Sequence, residues 1–440
     1  MLGLDIFENG NYLLETAKED RRIDQLKLAS MPHRVIHREN KLKVLLYEKN
    51  AEVDERDGRR RPPIMIIPSF INRHYILDLM PDKSLVRFLA NQGFDVATID
   101  WGAPGDEDKF VTFERYVDTY LKRSIAALNK ATGKDKPVLL GYCLGGTMAV
   151  IHAALRPETI SGLIALTAPI NFHNSGMLSA WCKAPSYDIE GLVKAFGNIP
   201  WPLMQSTFNM LRPTMGAARA LSVLKRLKDK DYVDSSLALE LWLNDNVSFP
   251  GECYREMITA LYRENSLVND TLRLGGTRKV EFKSITCPIL NVAASEDHIV
   301  PLDASRALAG LTSSEDYTEL ITPGGHIGAV ISKKASAHLW PNMVMWLESR
   351  FMNEHSVANA ANAQATATAA AAAAAVTAQT VEVTVQSRMG ANAARGKILR
   401  GKGLRHSTEF KKAPILPQSE GPAGEPEVRT RIRPWQAPLT

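Results

Sequence analysis

Nine consecutive residues do most to limit what this chain can fold into: Val138-Leu-Leu-Gly141-Tyr142-Cys143-Leu144-Gly145-Gly146. A short apolar run, a G-x-C-x-G turn and a helix-forming stretch predict a nucleophile elbow, with cysteine where serine is usual. The turn is so tight that Gly141 and Gly145 must lack a Cβ if the helix is to pack on the strand. Cys143 then projects above the strand's end with the helix N-terminus aimed at it. Partial positive charge and free N–H groups there favour a thiolate and a developing oxyanion. The competing reading is an inert buried cysteine in an ordinary strand–helix turn; placement straight after a buried strand favours the nucleophile.

The surrounding texture supplies the rest of such a fold. Ile64–Ile67, Val96–Asp100, Pro137–Leu140, Ile160–Leu166, Pro288–Ala294 and Thr318–Ile321 read as short strands. Helical stretches near 84–91, 112–130, 147–154 and 335–351 separate or follow them. Such alternation predicts a mostly parallel sheet with helices on both faces, an α/β-hydrolase fold. The alternation stops between His173 and Thr286. That interval reads as a helical cap insertion, its Trp181, Trp201, Phe208, Met210, Trp242 and Phe249 mostly filling a small core of its own. As a lid over the site it would shield a water-sensitive intermediate. The expected organisation is a polar N-terminal segment, 1–60, with one strand-like run at Leu42–Tyr47; a core of 61–172 and 287–352; the cap, 173–286; and a tail, 353–440. The tail is Ala-rich, with an unbroken alanine run at Ala369–Ala375, then basic and Pro-rich, a composition that predicts disorder.

A nucleophile needs a base, and the base an orienting acid. In this fold the chain order is nucleophile, acid, histidine. Asp297 follows the strand ending at Ala294, and His326 sits in the Gly-rich loop after Ile321, where a histidine has little packing to do. His298, beside Asp297, is the rival and is given a supporting role. His152 and His173 have no acid in the expected place. For the oxyanion hole the backbone N–H groups of Leu144 and Ile71 are expected. Cys182, Cys253 and Cys287 read as small core hydrophobes. No spacing suits a metal site, and no glycine loop suits a phosphate. Sulfur at the elbow fits a thioester substrate, since exchange onto Cys143 conserves the activated bond for later attack by a hydroxyl.

Charge narrows the partners. The net +5 arises wholly in residues 353–440, with eleven Lys or Arg against six Asp or Glu; residues 1–352 balance. The body is therefore not expected to bind nucleic acid. No run approaches the ~18–20 apolar residues of a membrane span. Four irregularly spaced cysteines and no secretory pattern in Met1–Gly10 point to a reducing, cytoplasmic setting.

Several segments resemble polyhydroxyalkanoate synthases: Pro68-Ser-Phe-Ile-Asn-Arg-His-Tyr-Ile-Leu-Asp78, Ile99-Asp-Trp-Gly102, Gly141-Tyr-Cys-Leu-Gly-Gly146 and Asp297-His-Ile-Val-Pro301. The run from Asp303 to Leu320, continuing through Pro323-Gly-Gly-His-Ile-Gly328, is similar to the two-subunit class III type, as is the short segment before the first core strand. The resemblance spans about residues 1–350 in order. It implies a Cys143 nucleophile, a His326 base and Asp297 as its partner. It also implies (R)-3-hydroxyacyl-CoA as substrate, with coenzyme A part of that substrate and no separate cofactor. Further implications are a second, non-catalytic subunit, a homo-oligomer and attachment to a polyester granule. Two other readings stay open: a hydrolase or thioesterase of the same fold with a cysteine nucleophile, such as the dienelactone hydrolase type, and a granule-associated scaffold with a vestigial site.

Overall fold

The structure, a computed structural model, describes residues 26–50, 52 and 61–352. The expected disorder of the 353–440 tail and its alanine run lie outside the described residues.

Eight strands form the central sheet: β1 (His33–Glu39), β2 (Leu42–Tyr47), β3 (Ile64–Ile67), β4 (Val96–Asp100), β5 (Val138–Tyr142), β6 (Gly162–Leu166), β7 (Ile289–Ala294) and β8 (Tyr317–Thr322). Their order is β1-β2-β4-β3-β5-β6-β7-β8. From β4 to β8 every neighbouring pair is parallel. β1 and β2 run antiparallel at one edge. The inner strands read as unbroken apolar runs because both their faces are buried. Alternate residues sort to opposite sides. Met65, Ile67, Leu139 and Leu163 join one core with helices α2 (Leu121–Thr132) and α3 (Leu144–Leu155). Ile64, Ile66, Leu140 and Ile164 join the other with α1 (Leu85–Asn91) and the C-terminal helix Trp340–Phe351.

The N-terminal segment holds two strands, not the one expected. β1 escapes a sequence reading because His33, Arg34 and Arg38 give it a polar, outward-facing edge.

The interval 173–286 contributes α4 (Gly176–Lys183), α5 (Ile189–Phe196), α6 (Trp201–Leu211), α7 (Met215–Lys225), α8 (Lys230–Asn244) and α9 (Gly251–Met257). It also carries a two-stranded ribbon, Arg273–Leu274 with Arg278–Lys279. The expectation that its aromatics fill a private core is corrected. Trp242 and Phe249 are buried in the two main cores. Trp201 and Met210 are exposed, and α6 buries no residue at all. The physical reason is that α6 lies over a cavity, with no second layer packed against it among the described residues. The cap's own cluster is only Val223, Val233 and Leu237 with a few half-buried neighbours.

Candidate active site

The elbow is built as its glycines require. Cys143, between β5 and α3, has φ 56° and ψ −131°, a strained conformation for a residue with a side chain. Its N–H donates to Leu166 O at 3.0 Å and its C=O accepts from Gly146 N at 2.8 Å, so the strain is held from both sides. A Cβ on Gly141 would lie 2.4 Å from Gly146 Cα, and one on Gly145 would lie 2.0 Å from Ile67 O. Gly146 is equally constrained, a Cβ there meeting that of Ala168 at 2.4 Å. The helix thus packs directly against β3 and β5, and the thiol stands half-exposed at its N-terminus.

Asp297 and His326 come from the loops after β7 and β8, tied together by Ser295 N to Thr322 O and Glu296 N to Gly324 O, each 2.9 Å. His326 Nδ1 donates to Asp297 Oδ2 at 2.7 Å. The other carboxylate oxygen accepts from the N–H groups of Ile299 and Val300 at 2.9 and 2.8 Å. With Nδ1 committed, Nε2 is buried with no nitrogen or oxygen partner, and the Cys143 thiol stands beside it. The Tyr142 ring lies 5.3 Å away and backs the imidazole. Burial alone would lower the pKa of His326. The negative charges of Cys143 and Asp297, with the hydrogen bonds they accept, outweigh burial and raise it from 6.5 to about 10. His326 therefore holds its proton more tightly than an ordinary imidazole does.

A folded-state pKa above the ordinary value contributes stability that is whole below about pH 6.5 and is lost as pH rises through about 10. Cys143→Ser removes the sulfur that helps raise the His326 pKa, so the imidazole should titrate at lower pH and the alkaline loss of stability should begin earlier. Ring-¹⁵N spectra of the two proteins across pH 5–11 check this. An unmoved midpoint would place the thiol away from Nε2.

The other residues singled out in the sequence separate cleanly. His298 makes no hydrogen bond to Asp297 but lines the cavity above it. Burial first, then the charge of Arg212, lowers its pKa. His152 is fully buried, donates from Nδ1 to Val117 O, and is pushed down to about 4 by burial. His173 contacts Arg263 O, away from the site. Burial pushes the thiols of Cys182 and Cys287 up to about 12 and that of Cys253 well above its usual range, so they stay protonated. Leu144 opens α3, where first-turn N–H groups have no intrahelical acceptor. The Ile71 N–H faces Ser69 Oγ at 3.3 Å, a long hydrogen bond within the loop. Among the described residues no cluster of His, Cys, Asp or Glu could hold a metal, and no helix is long and apolar enough to cross a membrane.

Cys143 and His326 open into a cavity of about 870 Å³, walled below by Ser69, Ile71 and Ile327 and above by Phe208, Arg212 and Leu239. Arg212 is exposed on this wall and has no carboxylate partner among the described residues. Nothing in the sequence marked it, because its relation to the site arises only from the way α6 crosses over the sheet.

Comparison with known proteins bears on this arrangement. Residues 62–330 match a family model described as the alpha/beta hydrolase fold, and residues 2–89 match that of the Poly-beta-hydroxybutyrate polymerase (PhaC) N-terminus. The chain is 38% identical over 321 residues to the Poly(3-hydroxyalkanoate) polymerase subunit PhaC of Allochromatium vinosum, covering 72% of this chain and 89% of that protein. The proteins of that name from Haloferax mediterranei and Thiocystis violacea are each 33% identical. They match 76% and 74% of this chain and 68% and 91% of their own lengths.

Proposed function

The chain belongs to the poly(3-hydroxyalkanoate) polymerase PhaC family, and from that premise we propose that it polymerises (R)-3-hydroxyacyl-CoA through an acyl-enzyme on Cys143. The observation that carries this reading is a half-exposed thiol on a strained elbow, beside the free Nε2 of a histidine whose Nδ1 is fixed on Asp297.

The chemistry follows from those atoms. The Cys143 thiolate attacks the thioester carbonyl, and the oxygen's negative charge develops towards the Leu144 and Ile71 amides. The C–S bond to coenzyme A breaks, the departing thiolate takes the His326 proton, and the acyl group remains on Cys143. Neutral His326 then accepts the proton of an incoming 3-hydroxyl as that oxygen attacks the Cys143 thioester. The ester bond forms, the Cys143 thiolate leaves, and the imidazolium–thiolate pair is restored. Among the described residues Cys143 is the one cysteine lining the cavity. Within one protomer, elongation therefore has the growing chain leave as a CoA thioester and reload onto Cys143. Thiolate, imidazole and carboxylate suffice, so no separate cofactor is invoked.

The cavity wall suits the thioester's two ends. Apolar side chains flank the thiol, whereas Arg212, with no carboxylate partner among the described residues, offers a cation to the phosphates of coenzyme A. Arg212→Gln is expected to raise the KM for (R)-3-hydroxybutyryl-CoA about tenfold, the order of one charge-assisted hydrogen bond. The KM for the N-acetylcysteamine thioester, which has no phosphates, should not change. Equal effects on both substrates would remove Arg212 from phosphate recognition.

The proposed setting is a cytoplasmic polyester granule, with the chain working as a homo-oligomer beside a second, non-catalytic subunit; the relatives named above are themselves called subunits. The test follows the acyl group. Labelled (R)-3-hydroxybutyryl-CoA is given to the purified full chain, with and without the candidate partner. Label in insoluble polyester, absent with Cys143→Ala, supports the synthase. Label in free hydroxy acid would make this a thioesterase, and no CoA release at all would favour a scaffold.

A further inference from the structure

The loop Pro68–Arg73, which leaves β3 and runs over the elbow, is held in two halves by different parts of the molecule. Its first half belongs to the core. Pro68 O accepts from Trp101 Nε1 at 2.9 Å. Phe70 is buried, its ring stacked on Tyr116 at 4.8 Å and edge-on to Phe249 at 4.8 Å. The second half, Ile71–Arg73, is half-exposed, and its fixed contacts run to the end of one cap helix, α8, and the residues just after it. Asn72 forms an isolated backbone bridge with Asn246, and its Nδ2 donates to Asn246 Oδ1 at 2.6 Å. Arg73 Nε donates to Asp245 Oδ1 at 3.1 Å, and Tyr75 OH donates to Asp245 Oδ2 at 3.0 Å. Trp242 Nε1 closes the set on Arg73 O at 2.8 Å. Asn246 is itself pinned, with Nδ2 donating to Leu243 O at 2.8 Å and to Gln205 of α6.

We propose that Asp245 and Asn246 are positioning residues for the reaction, holding Asn72 and Arg73 so that the Ile71 N–H stands over Cys143 where the oxyanion forms. This rests on the reaction proposed above. The Ser69 hydroxyl that the Ile71 N–H meets at 3.3 Å is a weak stand-in, easily exchanged for a full oxyanion. The arrangement also couples cap to chemistry, since any movement of α8 away from the sheet drags the oxyanion donor with it.

The energetics separate this role from a merely structural one. The Asp245 side chain is 45% exposed, so its ion pair adds little to global stability. Loss of an oxyanion donor costs on the order of 10²–10³ in kcat, and loosening one should cost part of that. Asp245→Ala is therefore expected to lower kcat for CoA release roughly 10- to 100-fold, leaving the KM and the melting temperature close to wild type. Asp245→Asn, which keeps one acceptor oxygen for Arg73 and offers Nδ2–H to the Tyr75 hydroxyl oxygen, should recover part of the rate. Asn72→Ala and Asn246→Ala should each lower kcat, and the double variant no further than either alone.

Wild-type kcat in Asp245→Ala, a rate loss matched by a fall in melting temperature, or a change confined to KM would each overturn the positioning role. A wild-type chain that releases no CoA would take the proposed reaction down with it. Normal wild-type release with an unaffected Asp245→Ala sinks the positioning role alone.

Discussion

Cys143→Ala should release CoA from (R)-3-hydroxybutyryl-CoA at no more than the uncatalysed rate, a loss on the order of 10⁴-fold or greater, while folding as wild type does. The size follows from the lack of a second thiol on the cavity wall among the described residues. Cys182, Cys253 and Cys287 are absent from the cavity wall, and burial keeps their thiols protonated. Folding should survive because alanine keeps the Cβ, so the strained backbone at φ 56° is no worse off than before, and a half-exposed thiol contributes little packing. Cys143→Ser makes the argument sharper. The hydroxyl can stand where the thiol stood, but it carries no charge, so His326 keeps only Asp297 of the two groups that raise its pKa. A slow enzyme that makes free acid from the thioester is the expected residue of activity. Wild-type CoA release in Cys143→Ala would dismiss the acyl-enzyme altogether. CoA release and unfolding, measured on one preparation, check both halves.

What could be read in the sequence and what could not divide along a physical line. The inner strands were legible because burial on both faces leaves an unbroken apolar run, as in Ile64–Ile67 and Ile289–Ala294. The elbow was legible because its backbone geometry admits only glycine at particular places, and such demands are written locally. Asp297 and His326 were legible as residues following strands in a fixed chain order; their 2.7 Å hydrogen bond is a fact of the fold. β1 was not legible, since an edge strand with outward arginines and histidines carries no apolar signature. Nor were the contacts between Asn72–Tyr75 and Trp242–Asn246. They join positions about 170 residues apart through single side chains, and no periodicity records such a pairing. The cap misled for a related reason. Large apolar residues signal burial only when a second layer exists to bury them, and α6 has a cavity beneath it and, among the described residues, nothing packed above.

The same close approach that places Cys143 makes Gly145 a sensitive position for stability. Gly145→Ala puts a methyl 2.0 Å from Ile67 O and 2.7 Å from the carbonyl carbons of Ile67 and Pro68. All three are backbone atoms. Ile67 is the last residue of β3 and is paired with Gly141, so neither side can retreat without breaking the sheet or displacing α3. Overpacking with no flexible neighbour falls in the upper tail of single substitutions, about 4 kcal/mol or more. At roughly 2–4 °C per kcal/mol for a domain of this kind, that is a fall in Tm of about 10 °C. Gly310→Ala is the control: a Cβ there meets nothing within 4 Å, and it sits in a short helix, Leu308–Leu311, where alanine should be neutral or slightly stabilising. Activity should fall further than stability in Gly145→Ala. The atoms pushed aside begin the loop that carries Ile71, and the helix displaced carries the Leu144 amide, so both expected oxyanion donors move with the clash. A Gly145→Ala chain with unchanged Tm and kcat would mean that the helix does not lie against β3 as described, and the placement of Cys143 over the sheet would fall with it.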